Sequence, residues 1–177
     1  MTVRAGVLLR WLRGGAWVLL LLVLLAAALL AAYLWRATPN HDGELRVAGL
    51  RGAEVRIERD AHGIPTIRAA SPEDASFGLG FAHAQDRLWQ LHTHRLIGSG
   101  RLAEAFGASA LDSDRFLRAL GVRRMAQAQW RNLPKASREV LEAYAAGINA
   151  WQRGHLAARP PEMLILEMTE NIFIEDS

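Results

Sequence analysis

The chain has 177 residues, 51% of them hydrophobic, with a formal net charge of +3 and no cysteine. That length suits one ordinary domain plus an anchor, and the missing cysteine excludes disulfides, thiolate metal sites and a thiol nucleophile. The charge is split: Arg4, Arg10, Arg13 and Arg36 give the first 36 residues +4, leaving 17 basic and 18 acidic residues, a balance of −1. The basic surplus thus flanks an apolar segment and does not form the basic face of a nucleic-acid binder.

Ala16 to Trp35 is twenty residues without a charge. At about 1.5 Å per residue it spans roughly 30 Å, the thickness of a hydrocarbon core. Arginines and Gly14-Gly15 precede the run, and Tyr33, Trp35 and Arg36 close it with interfacial residue types. The positive flank predicts a cytoplasmic N-terminus and a periplasmic C-terminal part. Two readings stay open: a single-pass inner-membrane anchor through residues 16–35, or a signal cleaved at the alanine-rich steps 26–28 and 31–32 to release a periplasmic product. The expected organisation is 1–36 basic flank and anchor, 37–54 linker with a possible short strand, and 55–177 an incomplete domain.

Thr38 to Gly43 carries Pro39, Asn40 and Asp42 and reads as linker. Arg46 to Gly52 is short and apolar/basic, a candidate strand. Val55 to Arg59 alternates apolar and charged residues, Asp60 to Gly63 is turn chemistry, and Ile64 to Arg68 resumes an extended run, so a hairpin is expected. Ser71-Pro72-Glu73-Asp74 starts a helix, with Ser71 as cap and Asp74 closing a capping box. Its stripe is Phe77, Phe81, Ala84, Leu88 and Leu91, at helical spacing. Gly78 and Gly80, unfavourable inside a helix, predict close approach of another element. Gly98-Ser99-Gly100 ends it. A short helix is expected over 101–106, and one longer helix from Asp112 or Ser113 toward Trp130, burying Phe116, Leu117, Leu120 and Met125. The last helix runs from Lys135 to Gln152 on a stripe of Val140, Leu141, Tyr144, Ala145, Ile148 and Trp151, with Gly154 as C-cap. Arg159-Pro160-Pro161 is expected to be extended.

The residues alone yield no active site. His83, His92 and His94 are spaced nine and two apart, and neither gap places both rings on one helical face; they read as polar or half-buried helix residues. Asp112 and Asp114 are either paired carboxylates or caps, and the caps are the simpler reading. Ser99 lies in G-S-G, which lacks the nucleophile elbow G-x-S-x-G. The tryptophans and tyrosines suit a core better than a ligand cage. No catalytic, substrate-binding or metal-binding residue is assigned, and no cofactor.

Four strings occur in order: VRIERDAHGIPTIRA, GFAHAQDRLWQ, GRLAEAFG and AYAAGINAW. Together they resemble the N-terminal part of the penicillin acylase (penicillin amidase) family of N-terminal-nucleophile hydrolases. Asp60, Gly63, Pro65, Ala84, Gln85, Asp86, Arg87, Gln90, Arg101, Glu104, Gly107, Tyr144, Gly147 and Asn149 carry the resemblance, which covers about residues 55–161. Asp86 and Arg87 should find polar partners, and Arg101 and Glu104 should pair at i, i+3.

The expected fold is α+β: the transmembrane helix already read from the sequence, then, as the resemblance implies, part of an αββα sandwich, mostly helical with one hairpin. It implies a much longer precursor that cuts itself into a small and a large chain. The large chain's new N-terminal residue, usually serine, is the nucleophile, with its α-amine as base. That nucleophile, the pocket-lining helix and an acidic ligand for the calcium some members carry are all expected beyond residue 177. The reading is thus the N-terminal segment of an amidohydrolase of linear acyl-amides, inactive alone, its partners the membrane, the missing chain and, once complete, a small acyl-amide. A non-enzymatic, membrane-tethered pseudo-acylase module is the alternative. After Leu166 the expected glycine and Pro-Trp segment are replaced by Glu167 and MTENIFIEDS, which reads as a chain stopping in mid-domain.

Overall fold

In a computed structural model of the chain, the described residues are 3–38, 41–52, 54–154 and 160–165. They divide into two compact units, 1–38 and 39–177. The first is one helix, α1 (Val3–Ala37). Its side chains from Gly14 to Leu34 are exposed in this unit, Tyr33 alone being half-buried. Among the described residues it is the one helix long and apolar enough, over Arg13–Ala37, to cross a membrane by length and composition.

Among the described residues the second unit holds two strands and six helices: β1 (Arg56–Arg59), β2 (Pro65–Arg68), α2 (Pro72–Ser99), α3 (Ala103–Phe106), a 3-10 turn (Gly107–Ala110), α4 (Leu111–Leu120), α5 (Val122–Asn132), α6 (Lys135–Gly154) and α7 (Pro161–Ile165). The strands pair antiparallel, with Ile57 opposite Ile67 and Arg59 opposite Pro65. Period-2 alternation turns Ile57, Arg59, Pro65 and Ile67 inward and leaves Arg56, Glu58, Thr66 and Arg68 in solvent. Pro65, which has no N–H to donate, falls at the strand start where none is required.

α2 and α6 make the core. Ala84, Leu88, Ile148, Trp151 and Met163 are its buried centre, with Phe81, Trp89, Leu91 and Tyr144 packed around them. Phe81 meets Trp151 edge to face at 5.4 Å. Two glycines set the approach. A Cβ on Gly80 would strike the Tyr144 carbonyl, and one on Gly147 would strike the Phe77 carbonyl, so each helix offers a bare patch to the other's backbone. Gly78 is as bare because Val55 and Ile67 of the hairpin segment rest on it.

The structure corrects the sequence reading in five places. Residues 46–52 form turns, not a strand: Gly49 has φ 108°, and the Arg51 and Gly52 N–H groups go to a side chain rather than a ladder. The single helix expected from Asp112 to Trp130 is two, because Gly121 at φ 73° ends α4 and starts α5. Phe116, Leu120 and Met125 are 62%, 52% and 56% exposed, so only Leu117 of that stripe turns inward, and Leu141 is exposed as well. Pro161 opens the short helix α7 rather than extended chain; a proline with no N–H to bond is favoured at a first helical position. The capping box forms by half: Ser71 Oγ accepts the Asp74 N–H at 3.0 Å, but the Asp74 carboxylate turns elsewhere. Gly154 is the last residue of α6. The readings made for Pro39, Asn40, Arg159 and residues 166–177 lie outside the described residues.

Candidate functional site

The chemistry-bearing side chains gather at three junctions. In the first, the hairpin is clamped to α2. Arg59 donates from Nη1 to Asp86 Oδ2 at 2.9 Å and from Nη2 to Asp86 Oδ1 at 3.0 Å, a two-pronged pair. The same guanidinium reaches Gln85 Oε1 at 2.9 Å and the Gly63 carbonyl at 3.1 Å. His41 Nε2 lies 3.3 Å from Asp86 Oδ1. Asp60 holds the turn from within, accepting the His62 and Ile64 N–H groups at 2.8 and 2.9 Å, and Gly63 takes the φ of 76°. The arginine of the first motif thus binds the Gln-Asp pair of the second. The partner expected for Asp86 is Arg59. Arg87 is exposed, at a kink in α2 where φ is −144°.

At the second junction two buried aspartates each grip two consecutive backbone N–H groups. Asp74, 1% exposed, accepts from Arg51 at 2.7 Å and Gly52 at 2.8 Å, and from the Ser71 hydroxyl at 2.9 Å. The Arg51 N–H first, then the Ser71 hydroxyl, the Gly52 N–H and the Arg51 charge, hold its carboxyl below the usual carboxylate range against the opposing effect of burial. Asp114, 4% exposed, accepts from Leu102 at 2.7 Å and Ala103 at 2.8 Å. Those are orphan donors at the start of α3. Asp114 is therefore a cap, as expected, but of a different helix from its own. Asp112 is exposed and meets Arg115 at 3.1 Å, so the two carboxylates do not pair. Arg101 and Glu104 join through two bonds of 2.7 and 2.8 Å, and chiefly that hydrogen bonding lowers the Glu104 carboxyl's pKa. Arg118 Nε donates to the Gly100 carbonyl at 2.7 Å. An open groove of about 330 Å³ runs here between α3 and α4, lined by Glu104, Asp114, Arg115 and Arg118 among others.

The third junction lies between α2 and α6. His83 Nδ1 is 2.9 Å from the Tyr144 hydroxyl, and burial pushes the Tyr144 phenol up. Ser76 Oγ donates to the Val140 carbonyl at 2.8 Å. His92 is buried and stacked on Trp89, while His94 is exposed. Among the described residues no three metal-ligating side chains converge. Asp74 and Asp114, the buried carboxylates, do not fit a calcium ion: both oxygens of each already accept backbone N–H groups. Ser99 Oγ bonds back to the Arg95 carbonyl at 2.7 Å, a helix-ending contact.

Each of these junctions bonds one element of the fold to another. Neither two-N–H aspartate clamp was visible beforehand. Asp74 grips Arg51 and Gly52, and Asp114 grips Leu102 and Ala103, partners too far back in the sequence to announce either clamp.

Comparison with known proteins puts these junctions in a family setting. The family described as penicillin amidase matches residues 54–175. Penicillin acylase 2 proenzyme of Pseudomonas sp. (strain SE83) is 42% identical over 115 residues, 65% of this chain and 15% of that protein. Acyl-homoserine lactone acylase QuiP of Pseudomonas aeruginosa is 42% identical over 113 residues, 64% of this chain and 13% of that protein. A solved penicillin G acylase from Alcaligenes faecalis aligns with TM-score 0.61 at 28% identity, covering 68% of this chain and 65% of that chain. The chain thus spans about one seventh of the curated relatives it matches, in their N-terminal portion.

Proposed function

Because the chain belongs to the penicillin amidase family, we propose that it is the N-terminal segment of an acylase that hydrolyses linear acyl-amides once a C-terminal chain completes it. The observation that carries this is the match itself, which runs through all three junctions. The 115 matched residues are 15% of the SE83 relative, whose length is therefore roughly 770 residues. The relative's printed name, a proenzyme, supports processing into separate chains. Every curated relative reported above is named as an acylase, so none favours the non-enzymatic module.

On this reading the division of labour is simple. The C-terminal chain supplies nucleophile and base, and this segment supplies scaffold. Arg59, Asp74 and Asp114 fix the hairpin, the loop before it and the α2–α3 turn. A small acyl-amide is the substrate class, and the relatives' names support penicillins and acyl-homoserine lactones alike. The half αββα sandwich, with its hairpin handed to a larger sheet, belongs to this proposal too. So does export: α1 with its basic flank serves as anchor or cleaved signal, leaving residues 39–177 on the far side of the membrane.

The test is hydrolysis of phenylacetyl and long-chain acyl amides by the full chain in mild detergent. No turnover is expected from the chain alone, and turnover is expected when the remainder of the SE83 relative is co-expressed. Activity of the repurified chain alone would overturn the proposal.

A further inference from the structure

We propose that the exposed apolar side of α4, built on Phe116 and Leu120 and rimmed by Arg115, together with the exposed α5 that carries Met125 and Arg124, is where the C-terminal chain docks. This rests on the two-chain reading above and names the surface that serves it. Phe116 and Leu120 are four apart and share one side of α4, and both are more than half exposed. Asp114, the residue that fixes α4 to the turn before α3, lies about 160° around the helix from Phe116. No rotation of α4 therefore buries the aromatic ring without losing the Asp114 clamp. α5 is barely engaged: of its eleven residues only Val122 and Trp130 are half-buried.

The partners inside this unit are already used. α2 and α6 bury their stripes against each other, so nothing in the described unit is left to cover Phe116. An apolar face with an aromatic anchor and an arginine rim has the composition of an interface centre. Three considerations select a polypeptide of the same family as occupant. The face lies inside the matched segment, and more than 600 residues of the SE83 relative lie outside it. Arg115 and Arg124 are exposed with Asp112 as the one acidic residue on these two helices besides buried Asp114, so the partner patch should be apolar with an acidic edge. Finally, α4 and α5 have ten and eleven residues and are broken by Gly121, which denies them the continuous stripe of a helix lying in a lipid interface.

The chain has no cysteine, so single reporters can be placed cleanly. Ser113→Cys sits on the face without removing an anchor, Met125→Cys samples α5, and Ser137→Cys, exposed at the start of α6, is the control. Each full-length variant is expressed alone and with the part of the SE83 relative that follows its matched segment, and maleimide labelling is timed. In the co-purified complex, positions 113 and 125 should label at least ten-fold more slowly than in the chain alone, with 137 changed less than two-fold. Phe116→Asp should cut co-purification at least ten-fold. A complex with 113 and 125 labelling at their free rates overturns the surface while the two-chain reading stands. Absence of any complex overturns both. Protection without the relative's chain, or only on adding anionic vesicles, assigns the face to a second copy or to lipid and overturns the proposal.

Discussion

The α2–α6 pair and the α4–α5 pair look alike as sequence and differ as structure. Both carry apolar residues at helical spacing. In the first pair the stripes meet, and Leu88, Ile148 and Trp151 are buried. In the second the stripe finds no cover, and Phe116, Leu120 and Met125 stay in solvent. What separates them is the bare backbone at Gly80 and Gly147. A periodic stripe says that a face is apolar; small residues on it say that a second backbone comes close.

The largest expected effect breaks the first pair. In Gly147→Ala or Gly80→Ala the new methyl meets a backbone carbonyl, which cannot swing aside as a side chain does. Overpacking of this kind costs about 1–3 kcal/mol, and these two should lie at the upper end. Gly98→Ala, in the same helix as Gly80 but with open space around it, should instead gain up to about 1 kcal/mol from helix propensity. Urea unfolding of the full chain in mild detergent, followed by tryptophan fluorescence, reads both signs. Equal effects at 80 and 98 would show that the crossing is not close.

The next effect concerns what fastens α4 while its outer face stays bare. Asp114→Ala strands the half-buried N–H groups of Leu102 and Ala103, at about 1–3 kcal/mol. Asp112→Ala, at an exposed pair, should move stability by less than about 0.5 kcal/mol. Similar losses at both positions in the same urea assay would mean that Asp114 is not the fastener.

These contrasts show what the sequence could reveal. The hairpin turn at Asp60–Gly63, the α2 start at Ser71-Pro72, the Gly100 stop and the Arg101–Glu104 pair are legible because each rests on residues close to one another in sequence. The resemblance to the acylase family was legible too, since four short strings kept their order. Asp114 was legible only as some cap: the N–H groups it serves lie eleven and twelve residues back. The Asp74 clamp spans more than twenty residues and was misread as a local box. Burial of Phe116 was wrongly expected because a stripe was equated with a partner. The break at Gly121 is hidden in the sequence because a lone glycine inside a periodic run is tolerated at a cost of about 1 kcal/mol and does not by itself mark an end.

A third test uses acid. The Asp74 carboxyl titrates below its ordinary value of about 3.9 when folded. The unfolded chain therefore takes up that proton first as pH falls. The stabilisation is complete above the unfolded value and is lost as pH drops through the lower, folded one. Asp74→Asn removes this dependence, so the variant should be less stable at pH 7 yet lose less between pH 4.5 and pH 2.5. Parallel curves for the two proteins would place the acid sensitivity elsewhere, Glu104 being the other carboxyl held low.

The smallest effect sharpens the comparison most. Phe116→Ser and Leu120→Ser delete large apolar side chains, and at a core position such as Leu88→Ala a deletion costs about 2–5 kcal/mol. Here the side chains are already wet, at 62% and 52% exposure, so little transfer energy is present to lose. The chain alone should change by less than about 0.5 kcal/mol, and its solubility should rise as the apolar patch shrinks. The same substitutions should become costly only when the C-terminal chain is present, because the water they shed is shed at that step. Unfolding midpoints measured with and without co-expressed partner separate the two. A loss above 1 kcal/mol in the chain alone would mean that α4 already packs its outer face within this unit, and the contrast between the two helix pairs would disappear.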